Sequence, residues 1–285
     1  MPRLRLGVAL LVPEPLATEI DGLRRACGDG SRHRVAPHLT LVPPVNVRVD
    51  DLPLALGVLR RAAAATRPFT LRLGPPATFL PATPTLHLAV GGRGDATVVL
   101  RRLRDAVFVP PLERDLTHPF VPHVTLSDEM DPDRIAGALT ALADFFVEAD
   151  FDRVHLLEER RHGDAHRRWV PVADAPFAPE IVVGRGGVEL ELAVCRLVDP
   201  EAARVEQAVW PEDAPVPPPV PEGAVPVVVV ARRRGEVVAV ARGWVDRHGE
   251  ELVSLLVVPE HRGQGIARQV VAAFRHAAAV EASRP

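Results

Sequence analysis

The chain has 285 residues, 47% of them apolar, and a formal net charge of −3. It is long enough for two ordinary domains with ample core material, and it lacks the strongly basic balance of a general nucleic-acid binder. Its only cysteines, Cys27 and Cys195, are too few and too far apart for a disulfide scaffold or a zinc site, which suits a reducing, cytoplasmic setting. The apolar run Leu6–Val12 is too short to span a membrane and has no signal-peptide cleavage pattern, so no membrane association is expected.

Residues 4–12 read as a buried strand. A helix follows over Glu14–Cys27, with Leu16, Ile20, Leu23 and Cys27 at helical spacing and Gly28 ending it. Ala36-Pro37-His38-Leu39-Thr40-Leu41 is a strand, expected to stop at Pro43-Pro44. Asp50 or Asp51 is placed to cap a helix whose apolar side is Leu52, Leu56, Leu59 and Ala63. Phe69–Leu73 and Thr85–Val90 alternate as strands, the second ended by Gly91-Gly92. Asp95 starts a helix through Val99, Leu103 and Val107. The strand Phe120-Val121-Pro122-His123-Val124-Thr125-Leu126 comes next. Asp131-Pro132 opens a helix with Ile135, Leu139, Leu142 and Phe146 on one side. Strands at Phe151–Leu157 and Arg168–Val172 close a first domain, residues 1–175.

Residues 176–285 form a second domain. Ala175–Gly187 is a junction broken by Pro176, Pro179 and the Gly184–Gly187 cluster. Glu189–Val198 is a strand, Pro200–Val209 a short helix, and Pro211–Pro226 a Pro-rich extended stretch. Val227–Ala231 and Val237–Val245 form a hairpin turning at Arg234-Gly235. Strand Glu251–Val258 runs into Pro259-Glu260-His261-Arg262-Gly263-Gln264-Gly265-Ile266-Ala267 and a helix with Ile266, Val270, Phe274 and Ala277 on one side.

Two stretches of the first domain repeat one pattern: Pro, His, apolar, Thr, Leu, at Pro37–Leu41 and Pro122–Leu126. Alternate strand residues share a face, so His38 sits with Thr40 and His123 with Thr125, while Leu39, Leu41, Val124 and Leu126 turn to the core. Strand and helix alternate in two comparable halves, each carrying one such strand, which predicts an α+β domain of two lobes around a central cleft. Two imidazoles suit acid and base work near neutral pH, and neighbouring hydroxyls suit charge on phosphoryl oxygens. No Asp, Glu or Cys companions stand at ligand spacing, so no metal is expected there.

The twin motifs resemble the paired His-x-Thr signature of the 2H phosphoesterase superfamily, which includes 2'-5' RNA ligase-like proteins and RNA 2',3'-cyclic phosphodiesterases. The resemblance covers about residues 1–175. It implies metal-independent opening of a 2',3'-cyclic phosphodiester, on an RNA end or a small nucleotide, to a 2'-phosphomonoester, with His38, Thr40, His123 and Thr125 as the catalytic set. Arg34, Phe120 and His87 are candidates for substrate contact: Arg34 as positive charge, Phe120 as a stacking platform, His87 by strand alternation. RNA-directed members often carry a basic residue after the second motif; here Ser127-Asp128-Glu129 follow, which disfavours a long RNA. The remaining histidines, His118, His155 and His261 among them, read as surface residues.

The stretch from Leu255 through Val271 resembles the acyl-CoA-binding motif of GNAT N-acetyltransferases. A Gly-rich strand-to-helix turn lets backbone N–H groups approach an anion at a helix N-terminus. The resemblance implies that Arg262, Gly263, Gln264, Gly265, Ile266 and Ala267 hold the CoA pyrophosphate and that the backbone around Leu256 and Val258 meets the pantetheine arm of acetyl-CoA. A complete GNAT domain continues with further strands and helices and often a tyrosine acid, and this chain has no tyrosine. A truncated GNAT-like α/β domain is therefore expected, completed by a second copy or a partner chain. Two rivals stand beside the phosphodiesterase reading: an acetyltransferase with an accessory first domain, and a non-catalytic nucleotide- or CoA-binding protein.

Overall fold

The computed structural model describes residues 2–162, 166–183, 188–210 and 217–283; the Gly184–Gly187 cluster and the first part of the Pro-rich stretch, residues 211–216, lie outside them. The chain divides into two units, residues 1–171 and 172–285. No described helix is long and apolar enough to cross a membrane.

The first unit is built on an eight-stranded sheet. Its elements in chain order are β1 (Arg3–Leu11), α1 (Leu16–Ala26), β2 (His38–Arg48), α2 (Leu52–Ala64), β3 (Phe69–Thr78), β4 (Leu86–Gly91), α3 (Ala96–Val107), β5 (His123–Ser127), α4 (Pro132–Ala141), β6 (Val147–Phe151), β7 (Arg153–His162) and β8 (His166–Pro176). The strand order is β6-β3-β4-β5-β2-β1-β7-β8. β3 leaves the first half of the chain to pair with β4, and β7 returns after the second half to pair with β1. Two four-stranded lobes result, joined between β2 and β5 by the pair Leu39↔Val124. The two lobes around a central junction match the α+β architecture expected from the repeat.

Several local expectations are corrected. β2 does not stop at Pro43-Pro44 but runs to Arg48. The register against β1 shifts at Leu6/Val8, so the two prolines fall in a bulge between the pairs Val8↔Val42 and Leu6↔Val45, where their missing N–H groups cost no ladder bond. Neither Asp50 nor Asp51 caps α2: a 3-10 turn over Val49–Asp51 precedes it, and Asp51 is already helical at φ −89, which withholds its carboxylate from the first amides. The single strand expected over Phe151–Leu157 is broken at Asp152 into β6 and β7. β6 is one edge of the order and β7 the last strand but one toward the other, yet one residue joins them. Three consecutive Cα atoms span at most about 7.6 Å, so the sheet must curl until those ends approach. Phe146 lies beyond α4, 51% exposed, under the Arg72 guanidinium at 3.7 Å.

The second unit carries β9 (Glu180–Val183), β10 (Glu189–Cys195), α5 (Pro200–Val209), β11 (Val225–Arg233), β12 (Glu236–Asp246), β13 (Gly249–Val257) and α6 (Ile266–Ala282). Its sheet is antiparallel in the order β13-β12-β11-β10-β9. The hairpin turns at Arg234 (φ 54) and Gly235 (φ 88), the positive angles a two-residue turn requires. α6 buries Ile266, Val270, Phe274 and Ala278 on one sheet face against Val227, Val229, Ala239 and Ala241. Ala202 of α5 packs on the other face with Val228, Val230 and Val240. Strand β9 was not expected from the sequence.

Candidate active site

The first motif is presented by β2 and the loop before it. That loop is pinned by a buried ion pair: Arg24 of α1 donates to Asp29 at 2.9 Å and to the Val35 carbonyl at 2.8 Å. Asp29 also accepts from the Ser31 amide and hydroxyl at 2.8 and 2.7 Å. The second motif lies on β5, between β4 and β2. Leu39, Leu41, Val124 and Leu126 are fully buried, so both strands are anchored by their apolar positions.

The antiparallel pair Leu39↔Val124 fixes the rest of the register. One step either way sets His38 opposite Thr125 and Thr40 opposite His123, and all four point to the face that Leu39 and Val124 avoid. Each histidine is also oriented alike. His38 Nδ1 lies 2.8 Å from the Ala36 carbonyl and His123 Nδ1 lies 2.7 Å from the Val121 carbonyl. A carbonyl only accepts, so Nδ1 carries the hydrogen and Nε2 is left for proton exchange. Burial pushes the His38 pKa below its ordinary value; the Ala36 carbonyl opposes this, while Arg24 and His123 add to it and Asp128 counters it.

Beside Thr40 and His123 opens a cleft of about 440 Å³, walled by Phe79, Phe120, Arg104, Arg114, Asp115 and His118 among others. Phe120 lines this cleft. Arg34 does not: its guanidinium lies 3.6 Å from Glu159 on β7. The arginines that do are Arg104 of α3, stacked on Phe108 at 3.9 Å, and Arg114, which donates to the carbonyls of Asp115 and Pro44, both at 3.1 Å. No motif marks them; helix and loop bring them in. His87 does not reach the cleft either. It is 4% exposed beneath Phe79, the rings stacked at 4.0 Å. His118, read as surface, is a cleft residue, and His155 is buried. Among the described residues no group of His, Cys, Asp and Glu is placed to hold a metal ion.

A family model described as the 2'-5' RNA ligase superfamily matches residues 12–163, more than half of the chain. The chain belongs to that superfamily. A second model, described as an acetyltransferase (GNAT) domain, matches residues 225–284. Relatives carrying the name "Putative phosphoesterase" in Bacillus mycoides and Bacillus cereus are 28% identical over 162 residues, which is 56% of this chain and 91% of theirs. Among solved structures, Escherichia coli LigT complexed with 3'-AMP is 17% identical, covering 62% of this chain and 99% of that one, with a TM-score of 0.45. The protein TT0787 of Thermus thermophilus is 20% identical, over 61% of this chain and 98% of that one, with a TM-score of 0.43. Membership in the 2'-5' RNA ligase superfamily makes the first unit a phosphoesterase-type domain, and the twin motifs lie inside the matched span.

The second unit holds a separate cavity of about 480 Å³, bounded by Leu255, Leu256, Val257, His261, Arg262, Gly263, Gly265, Ile266 and Ala267, with Val209 and Trp210 at the end of α5. Gly263 and Gly265 adopt φ +77 and +78, opening the turn that leads into α6. Of the residues expected here, Val258 and Gln264 do not line the cavity. The Val258 amide is spent on the Val238 carbonyl at 3.0 Å, and the Gln264 amide donates to Glu260 at 3.4 Å. His261, read as surface, does line it.

Proposed function

We propose that the first unit hydrolyses a 2',3'-cyclic phosphodiester, on an RNA end or a small nucleotide, to a 2'-phosphomonoester without a metal ion. One observation carries the reading: the Leu39↔Val124 register sets two Nδ1-anchored imidazoles and two hydroxyls on a common face. Neutral His38 takes a proton from water at Nε2, and the water oxygen bonds to phosphorus. The bond from phosphorus to the 3'-oxygen breaks, and that oxygen takes the proton from Nε2 of His123. Thr40 and Thr125 donate to the phosphoryl oxygens as charge gathers on them. Burial keeps His38 uncharged near neutral pH, which makes it the base and leaves the acid's part to His123. The 440 Å³ cleft, with Phe79, Phe120 and Arg104, suits one terminal nucleotide better than a long duplex. The test is a panel of 2',3'-cyclic nucleotides and cyclic-phosphate-ended RNA assayed in EDTA, with products identified by phosphorus NMR. A 2'-phosphomonoester formed at an undiminished rate is expected. Activity abolished by EDTA and restored by zinc or manganese would overturn the mechanism.

We infer a second ligand from the second cavity. Its left-handed glycines, helix N-terminus and Arg262 suit a pyrophosphate, and the apolar edge of β13 suits the arm of acetyl-CoA. β13 is an edge strand among the described residues, with Leu252 and Leu255 more than a third exposed. One side of that channel is therefore open to water. A second copy or a partner strand pairing along β13 would close it.

A further inference from the structure

His87 has no part in the two-histidine scheme, yet it belongs to the same face. It pairs across the β4–β5 ladder with Thr125. Its ring is covered by Phe79, with centroids 4.0 Å apart and planes 22° from parallel. The His123 ring stands edge-to-face against both, 5.3 Å and 67° from His87 and 4.9 Å and 90° from Phe79. Nδ1 of His87 is buried with no hydrogen-bond partner among the described residues. Burying an unpaired polar atom costs stability, and a phenylalanine at this position would keep the stack without that cost. Such a group beside a reacting imidazole calls for an explanation. The pseudo-two-fold sharpens the point. The residue paired with Thr40 is Ala9, so no imidazole takes the place beside the first motif that His87 takes beside Thr125; His155 stands one strand further out, paired with Ala9.

We propose that His87 is a positioning residue for His123: with Phe79 it fixes the plane of that imidazole, and its ring nitrogens give the protonated form a polar wall. Burial pushes the His87 pKa down to about 4, so its ring brings no charge against a proton on His123 at neutral pH. The other titratable or charged groups around His123 are His38 from β2 and His118, Arg104, Arg114 and Asp115 from the cleft wall, with Asp128 at the end of β5 acting on His38. All of them stay in place when only residue 87 is changed. The kinetic part of the test rests on the phosphodiesterase reading; the spectroscopic part does not.

The experiment uses the full chain with nitrogen-15 in the histidine rings and the variants His87→Phe and His87→Gln. The His123 signal is assigned by its loss in His123→Ala. In His87→Phe the stack survives and the polar wall is lost. The Nδ1–H tautomer of His123 should persist while its titration midpoint falls by about 0.5–1 unit, since its charged form is less well solvated. The alkaline limb of kcat should move with it. In His87→Gln the polar atoms survive and the stack is lost. The midpoint should hold while kcat drops on the order of 10- to 100-fold with KM unchanged, the scale of a reacting group displaced by about 1 Å. A His123 tautomer, midpoint and kcat identical to the parent's in both variants would overturn the proposal. If the parent cleaves no cyclic phosphodiester, the NMR midpoint decides alone: a shift in His87→Phe upholds the role of His87 while the functional reading falls. If one variant fails to fold, the other decides.

Discussion

Replacing His38 with alanine separates a two-histidine mechanism from a site that merely binds phosphate. His38 is half-buried, its side chain on the face that Leu39 avoids, while Leu39 and Leu41 fill the core at 0% and 1% exposure. The ladder to Leu11 is made by backbone, so the strand survives the change. What goes is the proton acceptor. A positioned general base is worth roughly 10²–10⁴-fold, or about 2.7–5.4 kcal/mol of barrier, and kcat/KM should fall by that factor with little change in thermal midpoint. The pH profile carries the sharper signature. Burial lowers the His38 pKa from 6.5, so the parent's acid limb should lie below that value, activity rising as His38 loses its proton. In His38→Ala that limb should vanish from the residual activity, while His123→Ala should remove the alkaline limb instead. The assay is kcat/KM for a 2',3'-cyclic nucleotide across the pH range in EDTA. A folded His38→Ala that kept its acid limb, or turned over near the parent's rate, would refute the assignment of His38 as base.

Four further outcomes are expected. Asp29→Ala removes the buried partner of Arg24 and leaves its guanidinium only the Val35 carbonyl and Asp21 at 3.5 Å, and urea unfolding should show a loss of about 1.5–3 kcal/mol. Stability should decline as pH falls from 6.5 toward about 4, because the unfolded chain binds a proton that buried His87 refuses, with buried His38 acting in the same direction; His87→Phe should flatten that slope in thermal melts across pH. Gly243→Ala drives a methyl into the Glu251 carbonyl and to within 2.6 Å of the Phe274 ring, so it should cost at least about 1–3 kcal/mol and loosen β13 from β12 by hydrogen exchange. Calorimetric titration of the full chain with acetyl-CoA should give weak binding, on the order of 0.1–1 mM, because β13 leaves the channel open, and Arg262→Ala should weaken it further; tight binding would show that the open edge is already closed.

The four motif residues could be read from the sequence because strand periodicity is strict: once His38 and Thr40 share a face, a single paired residue settles where His123 and Thr125 lie. The glycine turn into α6 was equally legible, since Gly263 and Gly265 are needed for their backbone angles and not for contacts. The cleft walls were not. Arg104 reaches the site from α3 and Arg114 from a loop, and their placement depends on how helix and loop pack on the curled sheet, which no local spacing encodes. Arg34 failed for a related reason. Nearness in sequence to His38 said nothing about Glu159, which lies on a strand brought alongside by the crossover of β7. The break at Asp152 was missed although the alternation changes phase there, from Val147, Ala149 and Phe151 to Val154 and Leu156, with Asp152 and Arg153 both polar between them; two short strands one residue apart read as one until the sheet order separates them.

The proposed division of acid and base asks what separates two motifs that are alike but for Leu39 and Val124. Both imidazoles bind a carbonyl two residues back through Nδ1, so the tautomer does not distinguish them. The neighbours do. Across the outer ladders His38 faces Leu11 and Thr40 faces Ala9, while His123 faces Ala89 and Thr125 faces His87. The first motif is thus flanked directly by Leu11 and Ala9, with buried His155 one strand further out, and burial together with Arg24 disfavours a proton on His38. The second has a neutral imidazole in its wall. Copying these surroundings across the axis should therefore exchange the roles more readily than changing the motifs themselves. The double variant Ala9→His with His87→Ala should raise the pH of the His38 limb and lower that of His123, read from the same profile of kcat/KM. Limbs that stayed put would mean that the division of roles lies outside the sheet.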